Sequence, residues 1–175
     1  TLVLIKPDAV ERGLIGEIIK RFESYGLKII SMKTVKPNRE ILEKHYLASE
    51  EQLRGMGNKT LSSSSEEDVM KIFGSKNPLE IGKKLREWLI EFLENKKVVA
   101  IVLEGENAIK KVREIVGFTN PTKAEKGTIR GDFADDSIEK ANKEKRAVRN
   151  LVHAAGSKED AEREIKIWFS ENELL

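Results

Sequence analysis

Two histidines, His45 and His153, are the side chains of this sequence that ordinarily titrate near neutral pH. His153 is placed better for chemistry, because it ends a short strand-like segment, NLVHA at 150–154, and a helix start follows at Ser157. A neutral imidazole becomes a useful nucleophile when a neighbouring group orients it. A histidine considered alone is more often a structural residue, so the hypothesis depends on what accompanies His153.

Two segments upstream of His153 contain groups that suit a phosphate ligand. Arg113 precedes GFTNP at 117–121, and the second segment is GTIRGDF at 127–133. Arginine offers planar donors that match phosphate oxygens, whereas glycine and threonine bring backbone and hydroxyl donors close to a ligand. Lys6, at the end of the first predicted strand, adds a compact positive charge. Any one of these cations alone would be interpreted as a solvated surface residue, so the prediction rests on the set.

Several other kinds of catalytic site are disfavoured by the sequence. The chain has no cysteine, which excludes disulfides, thiolate metal sites and a cysteine nucleophile. Two histidines without HExxH spacing do not predict a dedicated metal site. The string GMGNKT at 55–60 is not a Walker A loop, because Asn58 separates the glycine from the lysine. A GxSxG elbow is also missing, so serine hydrolase chemistry has no support.

Composition indicates one compact domain over residues 1–175 with a strongly solvated surface. Hydrophobic residues make up 39% and charged residues 35%, against roughly 25% charged in an average globular protein. The 32 basic and 30 acidic residues are interleaved, and the net charge is +2, so a nucleic-acid partner is not expected. No segment approaches the roughly 18 apolar residues of a membrane span. We therefore expect a cytoplasmic protein without a membrane partner.

Apolar periodicity predicts an α+β fold. Helical spacing follows Pro7 as far as Gly26, and it returns after Asn38, near Ile81, from Asn107 to Gly117 and after Ser157. Residues 50–82, rich in glycine and serine, are read as irregular or partly helical, and 117–134 as a long loop. Two β-α-β halves predict a ferredoxin-like βαββαβ fold, an antiparallel four-stranded sheet with helices packed on one face. The predicted strands are 2–6, 27–35, 98–104 and 150–154.

Ordered blocks of sequence identify a family. They are TLVLIKPDAVERGLIGEIIKRFESYG (1–26), KHY (44–46), VVAIVLEG (98–105), VREIVGFTNP (112–121), GTIRGDF (127–133), NLVHA (150–154) and SKEDAEREIKIWF (157–169). With these blocks in this order, the chain resembles nucleoside diphosphate kinases, in an archaeal-like form, along nearly its full length.

The resemblance implies a reaction and a role for each matching residue. His153 would accept the γ-phosphate of a nucleoside triphosphate and pass it to a nucleoside diphosphate in a ping-pong cycle. Glu164, eleven positions later, would bond the other ring nitrogen and fix the tautomer. Arg113, Thr119 and Arg130 would hold the phosphates, Lys6 and Asn150 the sugar hydroxyls, and Tyr46 would flank the histidine.

Cofactor and assembly follow from the same resemblance. Mg²⁺ would arrive on the nucleotide and bridge its phosphates, without a metal site built by the protein. The partners would be nucleoside tri- and diphosphates. The family also implies a homo-oligomer built from a common dimer, with a hexamer favoured and a tetramer or dimer as alternatives.

Three departures from the family pattern stand out. Ala155 occupies the position of a serine whose hydroxyl lies near the catalytic histidine, so slower transfer is expected. Excess length lies near 48–83 and 134–147, and both stretches are interpreted either as surface decoration or as changes to the nucleotide site. The first replaces the segment that carries a base-stacking aromatic residue, and Leu85 is a poor substitute. These departures leave a second hypothesis open, a binding or regulatory protein that has lost turnover.

Overall fold

A computed structural model describes residues 1–174, and they fold around one antiparallel sheet. Within that range there are four strands, in the spatial order β2-β3-β1-β4. They are β1 (Leu2–Ile5), β2 (Lys28–Val35), β3 (Val98–Glu104) and β4 (Val152–Ala154). The α+β class and the four-stranded antiparallel sheet predicted from the sequence are confirmed.

Ten α-helices surround the sheet in residues 1–174. The first half of the chain contributes α1 (Pro7–Glu11), α2 (Ile15–Ser24), α3 (Arg39–His45), α4 (Glu50–Leu61), α5 (Glu66–Phe73) and α6 (Pro78–Leu93). The second half contributes α7 (Ala108–Val116), α8 (Ile129–Phe133), α9 (Ile138–Lys143) and α10 (Lys158–Trp168). None of the helices in this range is long and apolar enough to cross a membrane.

Helices cover both faces of the sheet, so the expectation of helices on one face is wrong. Val3 and Ile5 of β1 pack with residues of α2 and α7, including Phe22 and Val112. The alternate residues of β1 join a second cluster with α3, α6 and Trp168 of α10. The reason lies in the sequence, because continuous apolar runs such as VVAIVL are typical of strands that are buried on both sides.

The region 50–82 is more regular than its composition predicts. Ser49 and Ser65 each accept a hydrogen bond from a backbone N–H in the first turn, and these caps start α4 and α5. Gly57 and Gly82 let α4 approach α6 backbone to backbone, since a Cβ at Gly57 would lie 2.0 Å from the Pro78 carbonyl oxygen. The glycines that suggest a loop in the sequence are therefore packing residues.

The second excess stretch forms α9, which packs against the first. Asn142 Nδ2 donates to Thr60 Oγ1 of α4 over 3.5 Å, and Lys143 lies 3.4 Å from a carboxylate oxygen of Asp68 on α5. The two stretches near 48–83 and 134–147 thus form one connected wall.

Candidate active site

One cavity of about 960 Å³ brings together all eight side chains predicted from the sequence. It lies between β4, the end of β1, and the helices on either side, and its walls include residues of α4 and α9. The eight are Lys6, Tyr46, Arg113, Thr119, Arg130, Asn150, His153 and Glu164. Their convergence is observed, whereas their individual roles stay predictions.

His153 lies in β4 opposite Leu4, and its side chain is 22% exposed, toward the cavity. Its Nε2 is 2.9 Å from Oε2 of Glu164, a buried carboxylate on α10. A carboxylate accepts, so the pair places the imidazole proton on Nε2. Nδ1 is then left with a lone pair, which is the state that a nucleophilic imidazole requires.

The backbone before His153 has a left-handed turn. Leu151 has φ 70 and is completely buried, and its N–H donates to Oδ2 of Asp8 over 2.9 Å. A non-glycine residue in this conformation is costly and persists where its surroundings hold it. The turn breaks strand alternation, so Leu151 faces the α2 and α7 side, whereas His153 contacts the ring of His45 on the other side. Regular strand alternation would instead put the side chains of Leu151 and His153 on the same face of the sheet.

Arg130 is a buried organiser of the loops around the cavity. Its guanidinium donates to the carbonyl oxygens of Gly117 at 2.8 Å, Asn150 at 3.1 Å and Val152 at 2.6 Å. Burial lowers the pKa of Arg130 to about 10, with a further contribution from Arg113. Three of its five N–H donors are used in these bonds, which leaves two for a ligand.

Asn150 links the same loops. Its side-chain N–H donates to the Thr119 carbonyl oxygen over 2.8 Å, and this bond joins the loop after α7 to the segment before β4. Arg113, exposed on α7, and Thr119 complete this wall of the cavity. Donors from three separate parts of the chain therefore point into one space.

Lys6 follows β1 directly and is almost fully buried. Its Nζ donates to the Val148 carbonyl oxygen at 3.3 Å and lies 5.5 Å from the centroid of the Phe92 ring. Burial lowers its pKa to about 8, partly opposed by Asp8. A buried cation without an ion-pair geometry is costly, and an anionic ligand would offset that cost.

His45 belongs to the site although the sequence gave it no role. Its ring lies 4.4 Å from that of His153 and 4.6 Å from that of Tyr46, both edge to face. Its Nδ1 accepts from the indole N–H of Trp168 over 3.2 Å, so its proton is on Nε2. Burial first, then His153 and Arg163, lower the pKa of His45 well below its ordinary value, which keeps the ring neutral. Burial likewise raises the pKa of Tyr46.

The ligand atoms of His45, His153 and Glu164 lie within 4.8 Å of one another, close enough to chelate a metal ion. Ligation by Nε2 of His45 would require its proton to move to Nδ1, which faces the Trp168 donor. Ligation by Nε2 of His153 would replace its bond to Glu164. Metal binding at this cluster would therefore compete with the hydrogen bonds that His45 and His153 make to Trp168 and Glu164.

Three further residues line the cavity, and one departure from the family pattern does not. Leu85, the poor substitute for a base-stacking aromatic residue, is one of them, together with Leu89 on the next turn of α6. Lys59 of α4 also lines the cavity. Ala155 is buried, and its side chain is not among the cavity-lining groups.

Comparison with known proteins identifies the family to which this chain is similar. The nucleoside diphosphate kinase family model matches residues 1–54 and 61–174. The match leaves out 55–60, inside the first stretch of excess length, and runs through 134–147. A curated nucleoside diphosphate kinase of Pyrobaculum aerophilum is 46% identical over 177 residues, covering 100% of this chain and 97% of the relative. That of Methanocaldococcus jannaschii is 41% identical over 175 residues, covering 100% and 96%.

Comparison with solved structures leads to the same family. A crystal structure of an NDP kinase from P. aerophilum superposes with a TM-score of 0.94 at 44% identity, covering 99% of this chain and 97% of that one. A nucleoside-diphosphate kinase from Borrelia burgdorferi, a transition state mimic with bound vanadate and ADP, gives 0.79 at 35% identity, covering 99% and 88%. With its sequence and its fold both matching, the chain belongs to the nucleoside diphosphate kinase family.

Proposed function

We propose that this chain transfers the γ-phosphate of a nucleoside triphosphate to a nucleoside diphosphate, with His153 as the phosphate carrier. The observation that carries the assignment is the 2.9 Å pair between His153 Nε2 and Glu164 Oε2 in a cavity rich in cations. Family membership supports the reaction, and the geometry supports His153 as its nucleophile.

The first half-reaction forms one bond and breaks another. Nδ1 of His153 attacks the γ-phosphorus in line, and the bond from phosphorus to the β–γ bridging oxygen breaks, so that the nucleoside diphosphate departs. The imidazole ring gains positive charge while Nε2 keeps its proton. Glu164 stabilises that charge through the same hydrogen bond. An acceptor diphosphate then attacks the phosphohistidine by the reverse path, which restores the neutral ring.

The cationic and polar residues around His153 would bind different parts of the nucleotide. Phosphoryl transfer depends mostly on positioning and on neutralising charge. Arg113, Arg130 and Thr119 would hold the phosphates, and Lys6 and Asn150 the sugar hydroxyls, with Lys6 also close to the transferred group. Tyr46 would limit the mobility of the His153 ring by packing beside it.

Mg²⁺ enters this scheme as part of the nucleotide substrate. Among the described residues, the candidate cluster of metal-ligating side chains contains two imidazoles and one carboxylate. Mg²⁺ prefers oxygen ligands in octahedral geometry, so this cluster suits it poorly. The ion would therefore be held by phosphate oxygens, where it neutralises part of their charge.

We also propose a homo-oligomer in the cytoplasm, with each chain folded as one domain. A hexamer is favoured by the family, with a tetramer or dimer as alternatives. Edge strand β2 supports self-association because its Met32 is 48% exposed. Mass measurement by light scattering after size-exclusion chromatography distinguishes these states.

The central experiment follows the phosphoryl group. The protein is mixed with γ-labelled ATP and Mg²⁺, freed of nucleotide, and tested for acid-labile, alkali-stable label. Added GDP or CDP should then remove that label as a labelled triphosphate. Absence of label on the wild type would favour the binding-protein hypothesis, and equal labelling of His153→Ala would remove the assigned nucleophile.

A further inference from the structure

The segment 55–60 falls outside the match to the family model, yet it forms part of the cavity wall. Gly55, Met56, Lys59 and Thr60 all line the same space as His153. A segment that the family model does not match thus lines the cavity in which the nucleotide would bind.

Packing on both sides fixes the position of this segment. Beneath it, Gly57 and Gly82 hold α4 against α6, and a Cβ at Gly82 would lie 1.9 Å from the Leu53 carbonyl oxygen. Beside it, buried Thr60 accepts a hydrogen bond from Asn142 of α9. Lys59 therefore projects from a firmly seated helix rather than from a free loop.

The surroundings of Lys59 are positively charged. Surrounding protein first, and then the nearby Arg113 and Arg130, lower the pKa of Lys59. Both arginines line the same cavity as Lys59. Three like charges that converge on a cavity repel one another, and a bound anion would relieve the repulsion.

We propose that Lys59 is a third phosphate-binding cation of the active site, contacting the phosphates that remain on the nucleotide. The inference rests on the function proposed above and extends it to a residue outside the family match. Lys59 shares the cavity with Arg113 and Arg130 and lies close enough to be affected by their charge. Since these arginines are proposed to hold the phosphates, the contact of Lys59 is to the phosphates that are not transferred. Such a contact is the same before and during transfer, and it should therefore lower KM and Kd with little effect on kcat.

Calorimetry with Mg²⁺–ADP tests the proposal on the full-length protein. Lys59→Gln should bind ADP about ten-fold more weakly than the wild type, because it loses a charge-assisted contact to phosphate. Lys59→Arg should retain most of the affinity. Lys71→Gln is the matched control, since it removes the same charge from an exposed position on α5. Its affinity for ADP should stay within about two-fold of the wild type.

Steady-state kinetics with the same variants provide the second readout. Lys59→Gln should raise KM for both nucleotides and keep kcat within about two-fold of the wild type. If Lys59→Gln binds ADP like the wild type, or if Lys71→Gln weakens binding equally, the proposal is overturned. A failure of the function itself is distinguishable, because the wild type would then form no phosphohistidine.

A footprinting experiment on the wild type covers the case of a poorly folded variant. Acetylation of lysine amines, read by mass spectrometry, should be slowed at Lys59 by saturating Mg²⁺–ADP and unchanged at Lys71. Equal acetylation of Lys59 with and without ADP would contradict the proposed contact.

Discussion

The indole nitrogen of Trp168 lies 3.2 Å from Nδ1 of His45, and this contact determines where the His45 proton resides. Indole can only donate, so Nδ1 must accept and Nε2 must carry the hydrogen. That Nε2 is buried without a hydrogen-bond partner among the described residues. A neutral ring of fixed tautomer thus packs edge to face beside His153.

Replacing the donor should release this constraint. Trp168→Phe leaves Nδ1 of His45 unpaired and should lower the free energy of unfolding by about 1–3 kcal/mol, beyond the loss of ring area. Nitrogen-15 NMR of the imidazole should show that His45 is no longer confined to the Nε2–H tautomer. Trp88→Phe, which alters an indole outside this contact, should leave the His45 spectrum unchanged. A single unchanged tautomer in Trp168→Phe would contradict the assignment.

Glu164→Gln should distinguish the effect of orienting the His153 ring from the effect of the carboxylate charge. The amide oxygen can still accept from Nε2 of His153, but the negative charge that stabilises the developing imidazolium is gone. A hydrogen bond to a charged group contributes about 1.5–3 kcal/mol, so phosphorylation of His153 should slow roughly ten- to hundred-fold. Single-turnover labelling measures this rate. Glu162→Gln, two residues earlier on α10 in an exposed pair with Lys158, should retain the wild-type rate. An unaltered rate in Glu164→Gln would show that the carboxylate charge does not stabilise the developing imidazolium.

The buried Lys6 should make stability depend on pH. Its folded pKa of about 8 lies below the ordinary 10.5, so the unfolded chain binds more protons between these values. The free energy of unfolding should therefore rise with pH across that window, by on the order of 3 kcal/mol.

Lys6→Met tests that dependence by denaturant unfolding at several pH values. The variant should be more stable than the wild type at pH 7, and the difference should shrink as the pH rises from about 8 toward 10.5. Its nucleotide binding should be weaker. Lys71→Met, on the surface, should follow the wild-type pH profile. A constant difference between Lys6→Met and wild type across the window would refute the buried charge as its cause.

The close approach of α4 to α6 gives a prediction with an internal control. Gly57→Ala places a Cβ 2.0 Å from the Pro78 carbonyl oxygen, so overpacking should cost about 1–3 kcal/mol or more of unfolding free energy. Gly55→Ala, two residues earlier, meets no described atom within 4 Å. It should be neutral or stabilising by up to about 1 kcal/mol, because alanine favours the helix. Similar melting temperatures for the two variants would show that α4 does not pack as described.

Sequence reasoning succeeded where a local pattern determines the structure. The helical spacing around Ile165 and Trp168 and the Ser157 cap predict α10, and the structure has that helix with that cap. The apolar run at 98–104 likewise predicts β3 within its observed bounds. The candidate site could be assembled only from the resemblance, because its residues come from distant parts of the chain.

The remaining features depend on contacts that no local pattern encodes. Residues 50–82 were predicted as irregular or partly helical, and the full length of α4 was not predicted because Gly57 is typical of a loop and its contact with Pro78 is not local. The orientation of Leu151 could not be predicted from a local pattern, because its left-handed backbone is held by Asp8, a residue near the other end of the sequence. His45 was overlooked because its importance comes from its neighbours in space, Trp168 and His153.

The bond between Asp8 and Leu151 also has a consequence for biosynthesis. It joins residues 143 positions apart, and β1 pairs with β4 across a similar separation. A chain still emerging from the ribosome can form early helices but cannot close this long-range pairing, and such contacts form slowly. The nucleotide cavity therefore exists only after nearly the whole chain has been translated, so nucleotide binding stabilises the finished protein and gives no help to the nascent one.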